Sequence, residues 1–578
     1  MLRTNTCGEL NRSDINEIVT LTGWVSKVRN LGSLVFVDLR DRYGITQIKI
    51  SPELYDKVQL KNEYCIKVRG TVARREEANP NLPTGEIEVL ADSIDIFAGA
   101  DLTPFIIADK TDALEDTRLR WRYLDLRRPI LQKNMMIRHQ ILKSTRDYLE
   151  NLNFLEIETP TLIKSTPEGA RDYLVPSRTK PGNFYALPQS PQIFKQLLMI
   201  GGMDRYYQIA RCYRDEDLRS DRQPEFTQID CEMSFITRDD VLKVIEGLVD
   251  RIWKDVLGID LEKFTAITYE DSVNKYGTDK PDMRFGMLLT DLTDILSKGS
   301  FEAFKGKVIR GIKVPGIAKE ISRKAMDKDV ELAKQFHIHG VSFFKFENGV
   351  ISGSLGKFYT PEVLTELAEK EEMSEGDVLI FGADESEEKI SFALGALRLE
   401  YARKLNLLDP DVFKPCFVVD WPLFGYVDGR LESLSNPFTR PKDEDLKYID
   451  SDPSKIKSYS YDTVINGLEL SSGALRIYDG RLQQKVFELL GLTDEDIKKR
   501  FGFFVSAFNY GTPPHGGFAL GVERLAMLLC KTDNVRDVVA FPKNLQAVDV
   551  MCQAPSRVPD KDLDVVGIQI EEKYRKEE

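Results

Sequence analysis

The stretch from Tyr206 to Phe235 constrains the chain more than any other. Two runs with strand-like alternation, Tyr206–Ala210 and Phe226–Phe235, flank Arg211-Cys-Tyr-Arg214-Asp-Glu-Asp-Leu-Arg-Ser-Asp-Arg-Gln-Pro-Glu225. A loop this dense in both charge signs between two strands has two uses. It is the solvated end of a hairpin, or it holds a guanidinium rigidly enough to grip a phosphate through paired hydrogen bonds. Residue types alone leave both open.

A chain of 578 residues exceeds what one core serves, so three or four domains are expected. With 42% hydrophobic and 30% charged residues, it reads as an ordinary soluble protein. It contains no apolar run of the roughly 18 residues a spanning helix needs. The N-terminal residues carry no apolar signal segment, which points to a cytoplasmic protein or a processed organellar one. The seven cysteines include no Cys-x-x-Cys pair, so neither zinc nor a disulfide framework is expected. Of the four histidines, His337 and His339 alternate on a strand-like segment and read as structural. A net charge of −13 argues against indiscriminate coating of nucleic acid, though local basic clusters still permit recognition. One such cluster, Arg118, Arg120, Arg122, Arg127, Arg128, Lys133 and Arg138, is either a charged helical face or a contact surface.

Residues 1–103 alternate as five short strands: Val19–Val28, Leu34–Leu39, Thr46–Ile50, Cys65–Val72 and Glu86–Ile96. Such spacing suits a small barrel of OB type, whose face binds single-stranded nucleic acid by stacking bases on aromatics. A polar hinge (104–130) precedes a first core segment (131–283), which opens with a helix over 131–151 and a strand over Phe154–Pro160. Texture changes over 284–412, a separate α+β module. The core resumes over 413–553, and a polar extension covers 554–578.

The order Arg214-Asp-Glu, then Arg222-Gln-Pro-Glu-Phe226-Thr-Gln-Ile-Asp230, resembles motif 2 of class II aminoacyl-tRNA synthetases, and in particular that of bacterial-type aspartyl-tRNA synthetases. The helix, strand and Pro160 resemble motif 1, a dimer interface in that family. Gly516-Gly-Phe-Ala-Leu-Gly-Val-Glu-Arg524 resembles motif 3. The resemblance implies an α+β multidomain fold: an N-terminal OB-type β-barrel, an antiparallel-sheet catalytic core with helices, and an inserted α+β domain. It also implies ATP-dependent activation of L-aspartate and its transfer to tRNA(Asp), with tRNA(Asn) as a further acceptor left open. Homodimers and Mg²⁺ brought with ATP complete the expectation.

Residue by residue, the resemblance assigns Arg214, Asp215, Glu216, Gln223, Phe226, Glu469, Gly521, Val522, Glu523 and Arg524 to ATP, with Arg214 and Arg524 catalytic. It assigns Glu168, Gln192, Lys195, Arg214, Asp230, Ser435 and Arg476 to aspartate. Asp462 and Glu469 match the metal-binding carboxylates, whose hard oxygens suit Mg²⁺. Arg29, Phe36, Gln47 and Glu88 match the residues that read the anticodon. Lys195 and Arg476 make a cationic pocket that neutral asparagine leaves unpaired.

Three departures stand out. Ser435-Asn436 occupies the place of a His pair, Ser471-Ser472 that of two glycines, and Glu523 that of an Asp. Ser435 can donate a hydrogen bond but does not titrate near neutral pH. The chain is therefore either a working enzyme with altered aspartate affinity or a paralogue that has drifted in substrate or lost a step. Retention of the cations and metal carboxylates favours the first.

Overall fold

A computed structural model describes residues 2–166 and 169–575, so Glu168 lies outside the described residues. Two compact units divide the chain, 1–136 with 539–556, and 137–538 with 557–578.

In the first unit, β1 (Ile18–Asn30), β2 (Val35–Arg40), β3 (Ile45–Ile50), β4 (Cys65–Arg74) and β5 (Ile87–Ala98) close a barrel in the order β1-β2-β3-β5-β4. Alternation drives the closure: Val35, Val37 and Leu39 on β2 and Ile48 and Ile50 on β3 are buried, while Phe36 and Asp38 take the opposite face. The basic cluster that follows is largely spent inside the protein. Asp125 is fully buried and accepts from Arg122 at 2.7 Å and Arg128 at 2.9 Å. Arg127 pairs with Glu63 at 2.8 Å and lies over Trp24.

The long helix α1 (Pro129–Asn151) leads into β6 (Leu155–Glu156). The expected strand over Phe154–Pro160 shrinks to these two residues. β6 sits at the sheet edge, both residues are exposed, and Pro160 has no N–H to extend the ladder. The rest of the second unit's main sheet comes from β7 (Arg205–Tyr213), β8 (Glu225–Ser234), β9 (Thr265–Thr268) and, after a long excursion, four later strands. The helix α2 (Gln192–Ile200) precedes β7.

That excursion carries its own five-stranded sheet: β10 (Leu289–Asp291), β11 (Val308–Val314), β12 (Val341–Glu347), β13 (Val350–Ser352) and β14 (Val378–Asp384), in the order β10-β11-β14-β12-β13. Helix α3 (Glu387–Lys404) buries Ile390, Leu394 and Leu397 against it. His337 and His339 are not on a strand. They follow a helix that ends at Lys334, and His337 has φ 62°.

The main sheet resumes with β15 (Pro415–Val419), β16 (Ser460–Ile465), β17 (Leu468–Leu475) and β18 (His515–Gly521), the last leading directly into α4 (Val522–Cys530). Its order is β9-β15-β16-β17-β18-β8-β7-β6. Six strands run antiparallel, but β9 with β15 and β6 with β7 pair in parallel, so the core is mixed rather than wholly antiparallel. The five-stranded sheet is thus inserted between β9 and β15, two neighbours in the main sheet. Among the described residues, no helix is long and apolar enough to cross a membrane.

Candidate active site

Successive residues on a strand face opposite ways, so Gln228, Asp230 and Glu232 share one face of β8. Ile229, Cys231 and Met233 fill the core behind them. The polar face meets a cavity of about 480 Å³, a size typical of small-molecule sites. Of the sequence-derived residues, Gln192, Lys195, Arg214, Glu216, Gln223, Phe226, Asp230, Ser435, Asp462, Glu469, Arg476, Gly521, Glu523 and Arg524 line it. Val522 is fully buried in the core. Asp215 lies outside the lining and bridges to Arg171.

At one end, α2 places Gln192 and Lys195 one turn apart. The Lys195 ammonium lies 2.6 Å from Asp230 Oδ1 and 3.3 Å from Glu232 Oε2. Arg476 donates from Nε to Glu232 Oε1 at 3.0 Å. Glu232, which sequence reasoning missed, therefore serves both cations. Its carboxylate lies against Gly517, where a Cβ would sit 2.2 Å from Glu232 Oε2, so only glycine fits there. Burial pushes the Glu232 carboxyl up, but Arg476 and Lys195 outweigh it and hold it below the ordinary range. Burial raises Asp230, and its Oδ2 finds no partner among the described residues.

This arrangement corrects the expectation of an uncompensated cationic pocket. Lys195 and Arg476 are already balanced by Asp230 and Glu232. An isolated cation at such depth would cost several kcal/mol. Arg476 engages Glu232 through Nε and Nη2, which leaves Nη1 without a partner among the described residues. Behind Arg476, His515 is 2% exposed, with Nδ1 2.8 Å from Pro513 O and Nε2 3.1 Å from Gln196 Oε1. Burial lowers its pKa below the ordinary imidazole value.

In the middle, Arg214 stacks its guanidinium 5.0 Å from the Phe226 ring centroid. Among the described residues it meets no carboxylate, and its buried Nε has no partner. A cation left open beside a ring is equipped for an anion and a flat base. At the far end, Arg524 at the start of α4 reaches Asp221 at 3.2 Å and the Glu469 carbonyl at 3.1 Å. Glu216 is tied to Arg222 at 3.3 Å. Glu523 is occupied by the Thr227 N–H at 3.0 Å and by Arg138 at 2.8 Å.

Asp462 and Glu469 lie on paired strands, offset by a bulge between Thr463 and Val464. Burial pushes the Asp462 carboxyl well above its usual range, and Glu469 pushes it further. Two hard oxygen donors that burden each other in one cavity fit a divalent cation held chiefly by phosphates. Ser435 faces the cavity with Oγ 3.4 Å from Ser460 Oγ.

In the first unit, the four barrel residues converge on one face. Arg29 grips Asp38 through two 2.7 Å bonds and reaches Gln47 at 3.1 Å, and Gln47 donates to Glu88 at 2.7 Å. Phe36 lies opposite Arg29 in the strand register and is half-buried.

These features define a class. The family model for class II tRNA synthetases (D, K and N) matches residues 114–545, and a model for an OB-fold nucleic acid binding domain matches 19–97. The chain belongs to the class II tRNA synthetases. Within them it belongs to the aspartate–tRNA ligase family. It is 46% identical to the Aspartate--tRNA(Asp/Asn) ligase of Geobacillus sp. (strain WCH70), over 100% of this chain and 99% of that one. It is 48% identical to the Aspartate--tRNA ligase of Ruminiclostridium cellulolyticum, over 98% of both. The fold is also that of the asparaginyl-tRNA synthetase from Pyrococcus horikoshii solved with asparaginyl-adenylate. That match has a TM-score of 0.59 and 17% identity, covering 96% of this chain and 100% of that one.

Proposed function

We propose that the chain activates L-aspartate with ATP and transfers the aspartyl group to the 3′ end of tRNA(Asp). One observation carries this reading. A single cavity joins the buried Lys195–Asp230–Glu232–Arg476 cluster to Arg214, a guanidinium with no carboxylate partner among the described residues. The first end suits a side-chain carboxylate, and Arg214 suits the α-carboxylate and α-phosphate.

An oxygen of the aspartate α-carboxylate attacks the α-phosphorus of ATP, and the bond to pyrophosphate breaks. A 3′-terminal ribose hydroxyl of tRNA then attacks the activated carbonyl and AMP leaves. The protein's contribution is position and charge. Arg214 and Phe226 hold the nucleotide between them, and Arg524 faces its phosphates once Asp221 yields. Asp230 and Gln192 orient the amino acid. Asp462 and Glu469 would hold Mg²⁺, which supplies neutralising charge on the phosphates.

The barrel face of Arg29, Phe36, Gln47 and Glu88 reads the anticodon in this account. Residues 1–103 form the anticodon-binding domain, 104–130 the hinge, 284–412 an insertion and 554–578 an extension. The exposed edge strand β6, with Leu155 and nearby Leu162 each 53% exposed, supports a homodimer through this region. A cytoplasmic location fits a protein of translation.

The names of close relatives divide between Asp and Asp/Asn, which favours a second reading in which tRNA(Asn) is also charged. Charging of purified tRNA(Asp) and tRNA(Asn) with labelled aspartate tests both. Aspartylation of tRNA(Asp) is expected, and failure to charge either tRNA would refute the proposal.

A further inference from the structure

Lys280 has no role in the proposed activation of aspartate. It lies in Asp279-Lys-Pro-Asp282, where the chain leaves the core for the five-stranded sheet. Its ammonium is 2.7 Å from Asp279 Oδ2 and 3.4 Å from Glu469 Oε2, and its charge acts on Asp462 as well. The same segment packs on the turn between β16 and β17, where a Cβ on Gly467 would lie 3.4 Å from Asp282 Cβ and 3.7 Å from Lys280 O.

The segment is pinned from the other side by Arg398 of α3, 2% exposed. Arg398 donates to the carbonyls of Asp282, Phe285, Gly286 and Met287 at 2.9–3.1 Å. Its guanidinium also lies 4.0 Å from the Phe285 ring centroid. Arg284 closes the loop on Asp282 at 2.6 Å. The inserted module thus holds, through one buried arginine, the segment that directly follows Lys280.

We propose that Lys280 is a positioning residue for the metal carboxylates, a resident cation that balances Asp462 and Glu469 until nucleotide and divalent ion arrive. The inference rests on the reading of those carboxylates as metal ligands. A divalent ion approaching the pair meets a like charge, so removing that charge strengthens divalent binding. A purely structural tie would instead alter stability and leave binding unchanged.

The test is Mn²⁺ binding to the nucleotide-free full chain, followed by electron paramagnetic resonance. Lys280→Met and Lys280→Gln should each bind Mn²⁺ on the order of tenfold more tightly than the parent, the effect of one nearby charge in a partly exposed site. Lys280→Arg should match the parent. Unchanged or weaker binding in the two neutral variants, or tightening in Met alone, would overturn the proposal. Adding Asp462→Asn to Lys280→Met should abolish the gain. If tight binding survives that change, the assignment of Asp462 as a ligand fails instead.

Discussion

Arg476 and Glu232 form a buried pair, 3.0 Å apart from Nε to Oε1, and the same carboxylate lies 3.3 Å from the Lys195 ammonium. The two cations expected to choose the substrate are therefore held by a common counter-ion before any substrate arrives. Their positions are set by the fold, so the proposed recognition of aspartate costs little rearrangement.

Glu232→Gln leaves two buried cations facing one remaining carboxylate, Asp230. Breaking a buried pair typically costs about 3–5 kcal/mol. Denaturant unfolding should show a loss of that order, and a loss below about 1 kcal/mol would argue that the pair contributes position only.

Asp462 is the opposite case, a carboxylate kept in a place that penalises its charge. Its raised pKa means the folded protein is favoured at low pH and loses that contribution as pH rises through the raised value. Asp462→Asn should raise the melting temperature at neutral pH while abolishing aspartate-dependent pyrophosphate exchange. A stabilised variant that kept its activity would remove Asp462 from the proposed metal site.

His515 has a depressed pKa, so it contributes stability at pH values above the ordinary imidazole value of 6.5 and loses it as pH falls below that value towards the depressed one. Asp230, raised by burial, works in the other direction over acid pH. The difference between parent and His515→Asn isolates the histidine. The parent should lose more stability than the variant between neutral pH and about pH 5, as read by urea unfolding. Parallel pH profiles would show that His515 stays uncoupled from folding.

On the barrel, Phe36→Ala should weaken tRNA(Asp) binding by about 1–3 kcal/mol, the range for one base stacked on an aromatic. Pyrophosphate exchange, which needs no tRNA, should be unaffected. Equal tRNA affinity in a filter-binding assay would show that Phe36 does not stack on the anticodon.

Much of this was legible in the sequence where local pattern decides structure. The five barrel strands followed from alternation broken by turn residues, and the long helix over 131–151 from its apolar spacing. Phe154–Pro160 misled because alternation reports a face to be buried, whereas β6 is an exposed edge with one neighbour. Glu232 was visible in principle, two residues beyond Asp230 on the same face of a buried strand. What made it matter is contact with Arg476, 244 positions away, which no local pattern encodes. The pairing within the basic run from Arg118 to Arg138 was hidden in part because two of its partners, Glu63 and Glu523, lie 64 and 385 positions from Arg127 and Arg138.

In the proposed function this cavity activates aspartate through donors arranged around two cations already balanced by Asp230 and Glu232. Pyrophosphate exchange by the purified full chain, with aspartate and asparagine compared at equal concentration, decides it. Exchange should depend on aspartate and be lost in Arg214→Ala, with asparagine giving none above background. Exchange with asparagine equal to that with aspartate, or none with either, would rule out aspartate activation at this site.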